Sequence, residues 1–403
     1  MPWGMRMTLW LALVSLPLQA YVWLRVIRSG IELTKWKASR LRLIALAGVV
    51  LVLLYPLSLL LSYLFKLDGG LRALQQPGGV TSAVLLYAFW LGIAFITQLA
   101  ILFVVVDVLL FIASKVPNKR GIQWARVKAW TVIGLFGAAL IYVPARVYND
   151  TWTVRVKEKE VRVPNLPPEL DGFHIIHIAD LQADARTDGG KLQRYVDAVN
   201  GLDPDLVCFS GDLVTSGTDY IETGAQALAK MNARYGVYAC IGDHDIFSNR
   251  AQVVSSLRAN GVKVLDNAAA GIAVQGSLVS LTGVTNAYAD RPSNSELAAM
   301  EGRRQKGAVN IFLTHQPSEA LVRYAEQEGY DVLLGGHTHG GQVVFPLPGF
   351  LLTGSSFETR YVTGFYEAGR MLVSINNGLG MTLAPIRYHA PAEVTSVRLK
   401  KGD

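Results

Sequence analysis

The segment DVLLGGHTHGG, residues 331–341, places two histidines directly after a short apolar run. A short apolar run followed by glycines is typical of a strand that is buried on both faces. Imidazoles at the end of such a strand lie at the carboxyl edge of the sheet, where open α/β sheets bind their ligands. The segment therefore predicts a buried strand that ends in a ligand-binding turn carrying His337 and His339.

Four apolar runs upstream end in the same way. Their last residues are followed by Asp180-Leu181-Gln182, by Gly211-Asp212, by Gly242-Asp243-His244-Asp245 and by Thr314-His315. Carboxylates and imidazoles gathered at one edge of a sheet repel one another or lack partners unless a cation lies among them. A pair of divalent metal ions is the simplest prediction. The glycines before Asp212, Asp243 and His337 are expected to permit sharp turns.

The same half of the chain alternates strand-like runs with helical patterns. Helices are predicted near 189–200, 219–233, 249–259, 294–305 and 317–327, and residues from about 342 to 399 are predicted to be mainly β. Short apolar strands separated by helices predict a sheet covered on both faces. The expected fold of this half is a layered α/β sandwich.

The first half of the chain has a different composition. The 403 residues are 51% hydrophobic and 17% charged, whereas a soluble chain carries about 25% charged residues. Apolar stretches at about 7–24, 43–65, 82–112 and 129–145 approach the length of about 20 residues that a membrane-spanning helix needs. We therefore predict a transmembrane unit of about four helices over 1–148 and an α/β domain over 149–403. Two cysteines exclude a disulfide scaffold and a cysteine-rich zinc module.

The net charge of +7 comes from the first half, where residues 1–150 hold 15 Lys and Arg against 4 Asp and Glu. These basic residues flank the apolar stretches, so we expect a membrane partner and no nucleic acid. The first and third connections are the basic ones, through Arg25, Arg28, Lys35, Lys37, Arg40, Arg42, Lys115, Lys119, Arg120, Arg126 and Lys128, against Lys66 and Arg72 in the second. By the positive-inside rule the first and third face the cytoplasm. The prediction is a multi-pass protein of the inner (cytoplasmic) membrane with residues after 146 outside.

Two alternatives concern this half. A cleaved signal peptide over residues 1–20 is less favoured, because basic residues follow the apolar stretch directly. Asp107, near the end of the third stretch, is either a functional carboxylate or a residue that reaches the membrane interface.

The five blocks, in this order, resemble the calcineurin-like metallophosphoesterase superfamily. The string His337–Val343, with Pro385-Ile386-Arg387 and Pro391-Ala392-Glu393-Val394, resembles its bacterial membrane-anchored branch with N-terminal transmembrane helices. The resemblance covers about residues 150–400. It implies an α/β metallophosphoesterase-type sandwich that binds two divalent metal ions and hydrolyses phosphate esters.

The resemblance also implies roles. Asp212 would bridge the two metals, Asp180 and His339 would bind the first, and His315 and His337 the second. His244 would lie outside the ligand set and meet the phosphate or the leaving-group oxygen. The full set of expected metal ligands is Asp180, Gln182, Asp212, Asp243, His315, His337 and His339, and no substrate-binding residue is predicted.

Two positions depart from the family pattern. Gln182 stands where the first block has histidine, and Asp243 stands where asparagine is usual. The added carboxylate and the amide oxygen make the site richer in oxygen, which favours Mn²⁺ or Mg²⁺, with Zn²⁺ or iron as alternatives. Two other readings stay open: the first metal is bound weakly or lost, or Gln182 faces solvent.

The expected function is hydrolysis of a phosphomonoester or phosphodiester by a metal-activated water, on a lipid-linked or envelope substrate. The alternative is a catalytically degenerate binding or signalling module at the membrane. A transporter is not favoured, because four spans with little charge offer no pathway. The sequence leaves the substrate, the native metals and the oligomeric state open.

Overall fold

The computed structural model describes residues 1–67, 74, 80–115, 123–288 and 290–402. Arg72, Lys119 and Arg120, which contribute to the predicted loop charges, lie outside the described residues. The chain divides into one unit of Met1–Asn149 with Leu383–Ile386 and a second unit of Asp150–Thr382 with Arg387–Asp403. The predicted limits of 1–148 and 149–403 stay a prediction.

The first unit contains four long helices, α1 (Trp3–Leu33), α2 (Ala38–Leu64), α3 (Val80–Ser114) and α4 (Trp124–Trp152). Each is long and apolar enough to cross a membrane. Large apolar side chains also cover the outside of these helices; Leu43, Phe111 and Ile141, for example, are 67%, 64% and 75% exposed. Helices that are apolar all round are typical of membrane spans. The predicted multi-helix N-terminal unit is confirmed.

Asp107 joins three of these helices. Its carboxylate accepts a hydrogen bond from the Tyr21 hydroxyl at 2.8 Å, and Lys128 Nζ lies 2.7 Å from its other oxygen. Arg25 of α1 also pairs with it. An ionisable group within an apolar helix is commonly paired in this way. Through these contacts Asp107 of α3 links to α1 and α4.

The second unit holds two six-stranded sheets. The first has the order β1-β14-β2-β3-β4-β5, and the second has the order β12-β13-β9-β8-β7-β6. The strands of the first are β1 (Val154–Val163), β2 (His174–Ile178), β3 (Leu206–Phe209), β4 (Val237–Ala239), β5 (Lys263–Val264) and β14 (Ala392–Lys401). Those of the second are β6 (Ala268–Val274), β7 (Ser277–Val284), β8 (Val309–Thr314), β9 (Val332–Gly335), β12 (Gly364–Ala368) and β13 (Met371–Ile375). A small hairpin pairs β10 (Phe345–Leu347) with β11 (Phe350–Leu352).

The layered α/β sandwich is confirmed, but the expectation of one sheet is wrong. Ile175 and Leu206 of the first sheet share one apolar core with Leu281 and Ile311 of the second, so the sheets pack face to face. Helices cover the outer faces: α5 (Gly189–Asn200), α6 (Ile221–Ala229) and α7 (Asp243–Ala259) cover the first sheet, and α8 (Asn294–Glu301) and α9 (Glu319–Gln327) the second. Central strands such as β3 and β9 are therefore buried on both sides, because helices cover one face and a second sheet covers the other.

One helix begins earlier than its pattern predicts. The apolar periodicity of α7 begins near residue 249, yet the helix begins at Asp243. The Asp245 carboxylate accepts the backbone N–H of Gly242 at 3.0 Å and so satisfies a donor at the helix start. Asn249 has non-helical angles inside the helix, which marks a kink at the predicted start. The local capping contact begins the helix, and this places Asp243 and His244 in its first turn.

Candidate metal centre

The backbone turns sharply at most of the predicted ligands. Five of them have φ between 49° and 72°, in the left-handed region: Asp180, Gln182, Asp212, His337 and His339. This region is uncommon for residues other than glycine, and such strain concentrates at functional sites. Each of these residues comes directly after a buried strand or its terminal turn. The strained turns aim the side chains at a common point beyond the strand ends.

The glycines before three of these ligands serve two different purposes. Gly211 has φ +92°, as the turn argument predicts. Gly242 and Gly336 do not have left-handed backbone angles, so the expectation that they permit sharp turns is wrong. A Cβ atom on Gly242 would lie 2.1 Å from Asp212 Oδ1, and one on Gly336 would lie 2.8 Å from Asp180 Oδ2. These two glycines leave room for the carboxylates.

The predicted side chains converge into two groups that share His315. One group is Asp243, His315 and His337, and the other is Asp180, Asp212 and His315, each with ligand atoms within 4.8 Å of one another. His315 Nε2 lies 2.8 Å from Asp243 Oδ1 and 3.3 Å from Asp212 Oδ2. The first sheet supplies the aspartates and the second supplies the histidines, so the centre lies where the carboxyl edges of both sheets meet.

Several buried atoms of the centre lack hydrogen-bond partners among the described residues. Asp180 Oδ1, Gln182 Oε1 and His339 Nδ1 are such atoms. His339 Nε2 lies 3.3 Å from Asp180 Oδ1, although burial, followed by the charges of Arg387 and His244, lowers the pKa of His339 well below its usual value. A neutral imidazole and a carboxylate oxygen left without hydrogen bonds are the donor atoms that a divalent cation takes. The donor set fits a metal at the position predicted for the first ion.

Gln182 is fully buried, so the reading in which it faces solvent is wrong. Its Nε2 donates a hydrogen bond to Asp212 Oδ2 at 2.8 Å. The amide therefore contacts the carboxylate that the resemblance implies as the bridge. Gln182 therefore lies where a metal ligand is expected, and its amide nitrogen faces Asp212.

His244 lies beside the ligand groups. Its Nδ1 donates to the Thr215 carbonyl at 2.5 Å, and its backbone N–H donates to Asp212 Oδ1 at 2.9 Å. Its Nε2 lies 4.0 Å from Asp212 Oδ2, and the side chain is 25% exposed. Because a carbonyl only accepts, Nδ1 carries a hydrogen and Nε2 is the atom available to a ligand. This geometry agrees with a residue that meets substrate without binding metal.

Protonation of the histidines compensates the negative charge of the buried aspartates in the centre. Burial alone would lower the pKa of His315, but Asp212 and Asp243 raise it well above its usual value. Burial likewise opposes a charged His337, yet hydrogen bonds to Asp243 and Glu358 raise its pKa to about 9. Burial and then Asp212, against the opposing charge of His315, raise the pKa of Asp180 to about 7. For Asp243, hydrogen bonds from both histidines outweigh burial and lower the pKa.

Several contacts escape the sequence analysis. Glu358 Oε1 lies 3.0 Å from His337 Nε2, on the outer side of the ring. Tyr288 packs its ring edge-on against the His337 ring, with the centroids 5.3 Å apart. No motif or periodicity marks either residue. Asp245 accepts the backbone N–H groups of Asp212 and Leu213 at 2.9 and 2.8 Å and so orients this loop.

Arg387 supports the opposite side of the centre. Its fully buried guanidinium donates to main-chain carbonyls of three segments, at His339 (3.3 Å), at Asn377 (2.9 Å), Gly378 (2.9 Å) and Gly380 (2.5 Å), and at Ala390 (2.9 Å). Burial lowers its pKa to about 10. A Cβ atom on Gly378 would lie 2.7 Å from the Cβ of Asp180, so the pinned turn also packs against a ligand. The sequence marks Arg387 only as part of a family-like string.

Two packed sheets with helices outside, and carboxylates and imidazoles at their shared edge, define a metallophosphoesterase-type protein. Residues 173–341 match the family model "Calcineurin-like phosphoesterase". Residues 173–341 therefore resemble a calcineurin-like phosphoesterase domain, and four apolar helices precede them.

Relatives with the same type of domain occur in bacteria and animals. The chain is 28% identical over 258 residues to "Uncharacterized metallophosphoesterase YkuE" of Bacillus subtilis, covering 63% of this chain and 88% of that protein. It is 28% identical over 284 residues to "Transmembrane protein with metallophosphoesterase domain" of Danio rerio, covering 67% and 63%. It is also 28% identical over 273 residues to "Uncharacterized metallophosphoesterase Cj0846" of Campylobacter jejuni, covering 66% and 69%.

The charges of the centre predict a pH-dependent stability. The raised pKa of His337 contributes stability below its unfolded value, and that contribution is lost as pH rises toward about 9. The raised pKa of Asp180 costs stability that accumulates as pH rises from about 4, where the unfolded carboxyl ionises, to about 7. We expect the EDTA-treated protein to unfold at progressively lower temperature as pH rises from about 6 to about 9.

Manganese should reverse this trend, because metal ligands must lose their protons and affinity therefore rises with pH. The measurement is thermal unfolding of the full chain in detergent, with EDTA or with Mn²⁺, across this range. A metal-free unfolding temperature that stays constant or rises with pH would contradict the assignment of these charges.

Proposed function

We propose that the second unit is a metal-dependent phosphoester hydrolase that acts on a phosphomonoester or a phosphodiester. The observation that carries the proposal is the convergence of five predicted side chains, from two sheets, on two ligand groups that share His315. The other three predicted residues contact these groups: Gln182 and His244 at Asp212, and His339 at Asp180. Two divalent ions held by such a ligand set would stabilise the charge of a phosphoryl group and would lower the pKa of a bound water. Asp180, Gln182, Asp212 and His339 would hold one ion, and Asp212, Asp243, His315 and His337 the other.

The chain's own residues supply the remaining chemistry. The Thr215 carbonyl fixes the proton on His244 Nδ1 and leaves Nε2 toward the substrate. Burial alone would lower the pKa of His244, but Asp212 and Asp243 raise it and favour the imidazolium. A protonated imidazole can donate its Nε2 hydrogen to the leaving-group oxygen as the ester bond breaks. His244 is therefore the proposed general acid.

The ligand chemistry favours Mn²⁺ or Mg²⁺. Asp180, Asp212 and Asp243 would supply three carboxylates, and Gln182, if its amide turned its oxygen to the ion, would supply an oxygen where the family has histidine. Oxygen ligands suit these harder ions better than Zn²⁺ or iron. Elemental analysis that finds stoichiometric, tightly held zinc would contradict this preference.

Removal of the His244 imidazole tests the proposed chemistry. We expect the full chain in detergent to hydrolyse bis(p-nitrophenyl) phosphate when Mn²⁺ is added. His244→Ala should lower kcat by about 100-fold or more, since a general acid contributes about that much. Because His244 lies outside the ligand groups, Mn²⁺ affinity should stay close to that of the wild type. A His244→Ala protein with unchanged kcat would overturn its role.

One observation favours a second candidate, a degenerate module that binds phosphate ligands without turnover. Gln182 directs a hydrogen-bond donor at Asp212, and a donor cannot bind a metal. The reversion Gln182→His with Asp243→Asn restores the residues that are usual in the family. If the wild type is a degenerate module, it binds the diester without hydrolysis and the double reversion gains activity.

If the wild type is the proposed enzyme, it hydrolyses the diester unaided. The reversion then changes mainly its metal preference, toward Zn²⁺, because one oxygen ligand is replaced by imidazole. Hydrolysis rates of both proteins with each metal separate the two candidates. An inactive wild type with an active double reversion would overturn the hydrolase.

We also propose a location in the cytoplasmic membrane with the metal centre outside. The support is the excess of Lys and Arg in the first and third connections together with the four apolar helices. Anchoring raises the local concentration of membrane-bound targets, which favours a lipid-linked or envelope phosphate as substrate.

Cysteine labelling tests the orientation. The native Cys208 and Cys240 are both buried, whereas Ser39 and Ser295 are exposed. In intact cells, a membrane-impermeant maleimide should label Ser295→Cys of the second unit and should leave Ser39→Cys unlabelled until the cells are lysed. The two substitutions are matched in chemistry. The opposite labelling pattern would place the metal centre in the cytoplasm.

A further inference from the structure

Glu358 stands apart from the predicted ligands, on the outer side of His337. Its Oε1 lies 3.0 Å from His337 Nε2, and its side chain is 32% exposed. The other ring nitrogen, Nδ1, lies 3.3 Å from both Asp243 Oδ1 and His315 Nε2. The imidazole therefore spans from the ligand group on one side to Glu358 on the other.

This arrangement fixes which nitrogen of His337 can bind a metal. An ionised carboxylate only accepts hydrogen bonds, so the Nε2 atom that faces Glu358 carries a hydrogen. When the His337 imidazole is neutral, its lone pair is therefore on Nδ1. This atom points at the ligand group. A carboxylate in this position also makes the imidazole a stronger ligand.

Glu358 is itself held in place. Gln316 Nε2 donates to its Oε1 at 2.5 Å, and the Tyr288 hydroxyl also hydrogen-bonds to it. Gln316 follows His315 directly, and its backbone exchanges hydrogen bonds with Asn286 at 3.1 and 2.5 Å. The Glu358 carboxylate is thus held by the residue next to His315, and its position is fixed by these hydrogen bonds.

The loop that carries Glu358 is tied to the loop that carries His337 and His339. Ser355 Oγ donates to the Thr338 carbonyl at 3.1 Å, and Thr338 Oγ1 donates to the Val362 carbonyl at 2.6 Å. Thr353 Oγ1 donates to the Gly341 carbonyl at 2.7 Å. These bonds lie on both sides of residue 358, so the carboxylate and the imidazole hold a fixed separation.

The other histidines of the centre lack such a partner. The Nδ1 atoms of His315 and His244 donate to the backbone carbonyls of Ser210 and Thr215. His339 Nδ1 has no hydrogen-bond partner among the described residues. Among these four histidines, only His337 has a carboxylate on the side away from the ligand group.

We propose that Glu358 is a positioning residue, which orients His337 and strengthens it as a metal ligand. The inference rests on the proposed metal site and does not require that the site hydrolyse phosphate. Outer carboxylates of this kind are typically worth about 10–100-fold in metal affinity.

The test is calorimetric titration of Mn²⁺ alone into the EDTA-stripped full chain in detergent. Glu358→Gln should weaken Mn²⁺ binding by about 10–100-fold. The matched control is Glu367→Gln, which removes the same charge from an exposed position of β12 and should leave the affinity unchanged. In a His337→Ala background, Glu358→Gln should have no further effect, because the carboxylate acts through that ring.

Thermal unfolding of the stripped variants reports whether they fold. If Glu358→Gln does not fold, Tyr288→Phe replaces it, because this change removes only one donor to Glu358 from an exposed side chain. A smaller weakening of Mn²⁺ binding is expected there. Wild-type affinity in the folded variant overturns the proposal, as does an equal loss with and without His337.

Hydrolysis assays on the same samples keep the two proposals apart. If the wild type binds Mn²⁺ without turnover and Glu358→Gln still weakens binding, the hydrolase fails and the role of Glu358 stands. If the wild type hydrolyses the diester and Glu358→Gln binds normally, only the role of Glu358 fails. A wild type that binds no Mn²⁺ overturns both.

Discussion

The architecture of the second unit depends on the position of His315. This buried imidazole belongs to the second sheet, yet its Nε2 lies 2.8 Å and 3.3 Å from carboxylate oxygens of the first. Its Nδ1 donates to the Ser210 carbonyl, also in the first sheet's half. Buried carboxylates are costly unless cations or hydrogen bonds compensate them. The left-handed turn at Asp212 and the close approach of Gly242 to that carboxylate help to bring negative charge to this ring.

Much of this arrangement could be predicted from the sequence, because each block follows its own apolar strand. Strand ends such as those before Asp180 and Asp212 are local features, and local patterns reveal them. A second sheet could not be predicted, since burial on both faces looks the same whether helices or strands provide the cover. Glu358 was missed for a related reason. It lies 21 residues beyond His337 in a loop without periodicity, and only tertiary contacts bring it to the ring.

The orientation of the Gln182 side-chain amide depends on the charges around it. Its amide nitrogen donates to the nearby Asp212 carboxylate, and its Oε1 has no hydrogen-bond partner among the described residues. A cation bound to Asp212 would reverse that preference, because it attracts the oxygen and repels the N–H groups. Exchange of the two ends requires only a half-turn of the terminal amide. Gln182 can therefore present either a hydrogen-bond donor or an amide oxygen to the same position.

The same charges bear on the substrate of the proposed hydrolase. Asp180, Asp212 and Asp243 offset three of the four positive charges of two divalent ions, and Glu358 adds a fourth carboxylate through His337. Asparagine at 243 would leave more positive charge for a phosphate group. At a separation of about 4 Å, one unit charge is worth about 4 kcal/mol at an effective dielectric near 20. A nearly balanced site attracts a doubly charged monoester less than an unbalanced one does. In the proposed hydrolase, a singly charged diester would lose less of this attraction than a monoester would.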